Sequence, residues 1–139
     1  MTEPVTDQPI AEPESFIRLR QLRQGLLRLH KVLLDAERAA YEQIHGAVPA
    51  GKMLNLVIGD PQFAWLHAIS ELIVRIDEMF DAKEPATSTD AEALLAQVSE
   101  LLQPSEPGTE FWHKYFAAMQ NHPDAVLAHR DVSRILSAG

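Results

Sequence analysis

Residues 60–81, DPQFAWLHAISELIVRIDEMFD, constrain the fold more than any other stretch of this chain. Asp60 followed by Pro61 is a helix start: an acceptor side chain at the cap, then a residue whose missing N–H costs nothing there. Trp65, Ile69, Leu72, Ile76 and Met79 then recur at three- and four-residue spacing, and so do Leu66, Ser70, Ile73, Asp77 and Phe80. Two such stripes give one helix two apolar sides. A helix covered on two sides belongs at the centre of a bundle, so the expected fold is all-α.

The rest of the chain fits that reading. The first 14 residues, MTEPVTDQPIAEPE, are acidic, proline-rich and aperiodic, which predicts a disordered tail ahead of a single domain over 15–139. Glu14 or Ser15 opens a long helix running to about Ile44. One stripe on it is Leu19, Leu22, Leu26, Leu29, Leu33, Ala36 and Ala40; a second is Leu27, His30, Leu34, Glu37, Tyr41 and Ile44. Gly25 inside this helix is costly unless a neighbour crosses closely there. Gly46, with Pro49 beyond it, is the stop. The segment 51–58 reads as a helical turn or two, because no other strand exists to pair with it. Thr89 or Asp90 is expected to cap a helix over about 90–103, with Leu94, Leu95, Val98, Leu101 and Leu102 inward. PSEPG at 104–108 breaks the chain. A short aromatic helix over 108–120 and a last helix over 124–137 follow. The prediction is an antiparallel bundle of four main helices with one or two short extra ones.

Composition removes whole classes of function. There is no cysteine, hence no disulfide, thiolate metal site or cysteine nucleophile. The N-terminus lacks the positive start and apolar core of a secretory signal, and no run of apolar residues is long enough to span a membrane. A cytoplasmic setting is expected. The net charge of −8 argues against nucleic acid as a partner. The basic residues Arg18, Arg20, Arg23, Arg28 and Lys31 are concentrated in one stretch without acids. On a helix, however, Arg20, Gln24, Arg28, Lys31, Asp35 and Arg38 share one polar face, which reads first as an ordinary solvated face and second as a basic docking face for an acidic partner.

Four polar positions stand out because they interrupt apolar stripes: His30, Glu37, Tyr41 and Asp77. An unpaired charge is costly there, so they either form a satisfied cluster that sets helix register or line a metal or small-ligand site. Glu-x-x-His, a piece of ferritin-like di-metal sites, occurs as Glu42…His45 and Glu110…His113, both near helix ends. His30-x4-Asp35 and His67-x3-Glu71 resemble two pieces of the hemerythrin-like pattern, whose His-x3-His element is missing. The weakest metal candidates are thus His30, Glu37, Asp77 and His113, and no cofactor is expected. Phe111, Trp112, Tyr115 and Phe116 form an aromatic cluster whose two sides point apart; one side suits the core and the other an interface. His122 and His129 read as a turn residue and a surface histidine. No phosphate loop, nucleophile elbow or other catalytic motif is present.

LHKVLLDAERAAYEQIHG followed by DPQFAWLHAISELIVRIDEMF resembles a group of small, uncharacterised bacterial all-helical proteins, over residues 29–81. The resemblance implies a bacterial, non-secreted setting and no particular activity. The expectation is therefore a non-enzymatic interaction or regulatory protein that forms a homodimer, with a protein partner, self-association or both. The alternative is a metal- or ligand-binding bundle built on His30, Glu37 and Asp77. A small hydrolase or isomerase using the same groups as acid and base ranks third.

Overall fold

A computed structural model describes residues 12–104 and 108–138. Residues 1–11 of the acidic tail and residues 105–107 of the PSEPG break lie outside the described residues. The described chain is all-helical, with no strand and no helix long and apolar enough to cross a membrane. Its elements are α1 (Glu14–His45), α2 (Ala50–Gly59), a short 3-10 turn (Pro61–Leu66), α3 (His67–Asp81), α4 (Ser88–Leu101), α5 (Glu110–Asn121) and α6 (Pro123–Ser137). Four of these are the expected main helices, and α2 and α5 are the short additions. The structured part begins before residue 15: Glu14 opens α1, and Glu12 forms a two-pronged ion pair with Arg20.

The middle of the bundle belongs to α1, not to α3. Leu19, Leu22, Leu26, Leu29 and Leu33 are all fully buried, and α1 touches α3, α4, α6 and the Pro61–Leu66 turn. Paired residues give the directions. Along α1, Arg18 meets the end of α6 at Ile135 and Leu136, Gly25 meets Val132, and Arg28 meets Asp131, so α1 and α6 are antiparallel. Phe16 meets Phe80, Arg23 meets Asp77 and Tyr41 meets Phe63, so α1 and α3 are antiparallel as well. The close crossing expected at Gly25 is the one with α6. Arg18 completes that contact by donating to the Ile135 and Leu136 carbonyls at 3.3 and 2.7 Å. It satisfies acceptors that the last helical turn leaves open and sets a cation at the negative end of the helix dipole.

Local chemistry accounts for the helix ends. Gly46 adopts φ +83° with ψ 174°, a conformation that is nearly glycine's alone, and its N–H donates to the Glu42 carbonyl at 2.8 Å. The Glu42 carboxylate then accepts the Val48 N–H at 2.8 Å and Arg38 donates to the Val48 carbonyl at 3.2 Å, which folds the chain back toward α2. Asp60 caps as expected, accepting the Gln62 N–H at 2.9 Å, but the first turns wind as a 3-10 helix before α3 begins. Three residues per turn put Phe63 and Leu66 in line on the core side. The α4 cap lies earlier than Thr89 or Asp90. Thr87 accepts the Asp90 N–H at 3.1 Å while the Asp90 carboxylate accepts the Thr87 N–H at 2.9 Å, a reciprocal capping box.

Candidate functional site

The polar residues that interrupt the α1 and α3 stripes are separated by the antiparallel register. Asp77 is held by Arg23, whose Nε and terminal nitrogen donate at 2.5 and 3.2 Å in a partly exposed pair. His30, two turns further along α1, is half-buried. Its burial, and secondarily the charge of His67, hold its pKa below the usual 6.5, which keeps the ring neutral at pH 7. Glu37 lies another two turns on, where its backbone carbonyl accepts from Gln62 at 3.4 Å. Tyr41 packs on Phe63 and on the His45 ring, 4.3 Å away. From Arg23 to Glu37 is about 21 Å at the ordinary rise of a helix, so His30, Glu37 and Asp77 occupy three levels and do not enclose one site. The physical reason is that α3 runs opposite to α1, which carries residue 77 to the end of α1 far from residue 37.

No group of three or more His, Cys, Asp or Glu among the described residues could hold a metal ion. Glu42 is engaged by Val48 and Arg38, and its partner His45 is stacked on Tyr41. The second Glu-x-x-His pair is exposed, with His113 lying against Gly108.

The aromatic cluster divides as its helical spacing requires. Phe111 stacks on Tyr115 and reaches Trp65, with ring centroids 5.3 and 5.6 Å apart, and both Phe111 and Tyr115 are buried. They are core residues, so they cannot anchor a partner. Trp112 is half-buried and Phe116 is 47% exposed; these two alone of the four present surface.

His129 is not a surface histidine. It is half-buried, with Nδ1 2.6 Å from the Tyr115 hydroxyl and Nε2 3.3 Å from the Ser133 hydroxyl. Burial raises the Tyr115 pKa well above its usual value and lowers that of His129, so both are neutral at pH 7. The fully buried hydroxyl must donate, and the imidazole nitrogen beside it is the acceptor it has. Nδ1 is then unprotonated and Nε2 carries the hydrogen toward Ser133. That polarity is the reverse of what a serine nucleophile needs, since the ring cannot take a proton at Nε2. His129 and Ser133 line a cleft of about 400 Å³ with Ser99, Gln103 and Ser137, and the buried Tyr115 behind them ties α5 to α6 through His129. A buried tyrosine demanding an acceptor, with histidine and serine one turn apart on the next helix, is the sequence signal that points to it.

An apolar surface is left open on α2. No residue of α2 is buried, although it carries Met53, Leu54, Leu56, Val57 and Ile58. Leu54 is 65% exposed, Ile58 64%, and Ile44 at the end of α1 76%. Met53, Leu56 and Val57 cover one side of the helix against the core, and the opposite side is open. No protein-family model, no curated protein and no solved structure matches this chain.

Proposed function

We propose that this chain is a non-enzymatic, cytoplasmic interaction protein that pairs with a second copy of itself through the open face of α2 and the end of α1. The observation that carries this reading is an apolar helix with none of its residues buried. Single exposed aliphatic residues are ordinary, but a helix of this composition gains little from staying in water. Fully burying a Leu or Ile side chain is worth roughly 1.5–3 kcal/mol, and three such side chains are at least 64% exposed here. Charge favours a second copy as the occupant. Two molecules of net charge −8 repel each other, whereas residues 46–59 carry a single charge, Lys52. Two copies therefore approach with least repulsion at this face.

Sedimentation equilibrium across micromolar to millimolar concentrations tests the reading. The native chain is expected to dimerise, and Leu54→Asp with Ile58→Asp to abolish dimers without loss of helicity. A native chain that stays monomeric throughout refutes it. A dimer that survives the double substitution but is lost in Phe116→Asp moves the interface to α5 and refutes the α2 face.

A further inference from the structure

The cleft of about 400 Å³ beside His129 opens between α4 and α6. Both helices lean on α1 and touch each other only lightly, so a space is left between them. Its apolar part is Leu102 from α4 and Leu136 from α6, with Pro104 beside them. Its walls are polar. On the α6 wall the hydrogen bonds run in one direction, from the Tyr115 hydroxyl to His129 Nδ1 and from His129 Nε2 to the Ser133 hydroxyl oxygen. Ser133 thus already accepts one hydrogen, and its own hydroxyl hydrogen has no acceptor among the described residues. On the α4 wall Gln103 Nε2 donates to the Ser99 hydroxyl oxygen at 3.0 Å. That leaves Ser99 in the same condition, and the side-chain carbonyl of Gln103 without a donor among the described residues. Ser137 is committed to its own helix, donating to the Ser133 backbone carbonyl at 2.9 Å. Ser99 and Ser133 are both half-buried, so each keeps a face open to the cleft. A hydroxyl whose oxygen accepts a hydrogen bond is a stronger donor in turn. The cleft therefore presents two reinforced O–H donors, one from each wall, and one carbonyl acceptor, and none of its lining residues is charged at pH 7.

We propose that this cleft binds a small neutral aliphatic amide. The amide carbonyl oxygen has two lone pairs and accepts from Ser99 and Ser133 together. The amide N–H donates to Gln103 Oε1, and the alkyl group covers Leu102 and Leu136. A carboxylate of the same shape finds no cation on the lining, sets its oxygen against the Gln103 carbonyl and enters a chain of net charge −8. An ammonium group accepts nothing and leaves both serine hydroxyls unanswered. An uncharged group that accepts twice and donates once meets all three.

The experiment is a titration of the full chain, followed by nuclear magnetic resonance at the backbone amides of Ser99, Gln103 and Ser133. The probes are isovaleramide, isovalerate (the same skeleton with a charge) and N,N-dimethylisovaleramide (the same skeleton without an N–H). Isovaleramide is expected to shift these signals saturably, with each of the other two binding roughly tenfold more weakly for the loss of the contact to Gln103. Ser133→Ala is expected to weaken isovaleramide roughly tenfold. Ser133 also meets His129, so Ser99→Ala, which leaves the joint between α5 and α6 untouched, is the second reading and is expected to show the same loss. Gln103→Ala, at an exposed position, is expected to erase the preference of isovaleramide over its dimethyl form. Signals that do not respond saturably to isovaleramide overturn the proposal. So does a carboxylate that binds as well as the amide, or an isovaleramide affinity unchanged in both serine variants.

Discussion

Gly25→Ala separates two opposing effects that the structure allows to be weighed. Inside a helix the replacement is favourable by about 1 kcal/mol, since alanine restricts the unfolded chain and shields the backbone. Here the new Cβ would lie 3.1 Å from Val132 Cγ2 and 3.6 Å from Ile135 Cδ1. Carbon atoms prefer about 3.5–4.0 Å, so the first contact is too close by about half an ångström. Val132 cannot turn away, because it is fully buried and its β-branched side chain is stiff at χ1. Overpacking of this kind costs about 1–3 kcal/mol. The crossing therefore wins, and Gly25→Ala is expected to lower stability by about 1 kcal/mol despite its helix propensity. With Val132→Ala the clashing methyl is gone, and the same Gly25→Ala change should stabilise that background by about 1 kcal/mol. The two sites then couple by about 2 kcal/mol, within the range for touching residues. Urea unfolding followed by circular dichroism measures all four proteins, with unchanged slopes showing that the two-state comparison holds. A Gly25→Ala protein that is more stable than the native chain, or the same shift in both backgrounds, refutes the argument that α6 requires a glycine here.

Three further expectations follow from specific contacts. His30 and His129 both have pKa values held below 6.5, mainly by burial, so the folded state binds fewer protons than the unfolded state as pH falls. Their contribution is complete above the unfolded value and is lost on acidification; unfolding free energy should fall between about pH 7 and pH 5, and His30→Gln with His129→Gln should flatten that slope. Stability that rises over the same interval contradicts the assignment. Tyr115→Phe keeps the ring and removes the hydrogen bond to His129, costing about 1–2 kcal/mol. It should also release Nδ1, which nitrogen resonances of His129 report as a change in tautomer; an unchanged tautomer means that the hydroxyl does not set it. Thr87→Ala should cost α4 about 1 kcal/mol while Thr89→Ala costs almost nothing; equal effects in thermal unfolding would show that the cap is not where the capping box lies.

What the sequence showed depended on how local the determining interaction was. Helix existence rests on three- and four-residue spacing, and α1, α3, α4, α5 and α6 all fall where that spacing predicts. Gly46 and the Asp60-Pro61 start were readable because a terminus is decided by a few adjacent residues. The α4 cap was misplaced because Thr87, Thr89 and Asp90 are all acceptable caps by residue type, and only the reciprocal hydrogen bonds select Thr87. Convergence of His30, Glu37 and Asp77 could not be read in the same way. Spacing along one helix says which residues share a stripe, whereas which of them meet residues of another helix depends on direction and register. The Tyr115–His129 bond escaped for the same reason: a histidine and a serine one turn apart are readable on α6, but only the α5–α6 crossing sets Tyr115 against them.

The leucine-to-alanine change along α1 links the features that remain. From Leu19 to Leu33 the stripe presents large side chains, and α3, α4 and α6 close around it without leaving a buried polar residue. Beyond Leu33 it presents Ala36 and Ala40, and that end of the helix packs on the Pro61–Leu66 turn alone, with α5 across a groove and a short α2, which buries none of its own residues, resting on the same turn. The indole N–H of Trp65, which has no acceptor among the described residues, and the exposed side chains of Ile44, Leu54 and Ile58 all belong to this end. Close packing stabilises a bundle but leaves no room for recognition. A chain that needs both can keep them apart along one long helix, with leucine where it must hold together and alanine where something else is to fit. The spread of stability should follow the same division: local opening is governed by how much apolar contact a segment makes. Amide hydrogens of α2 should therefore exchange well before those of α1 between Leu19 and Leu33, and uniform protection along both would show that the two ends are not different in kind.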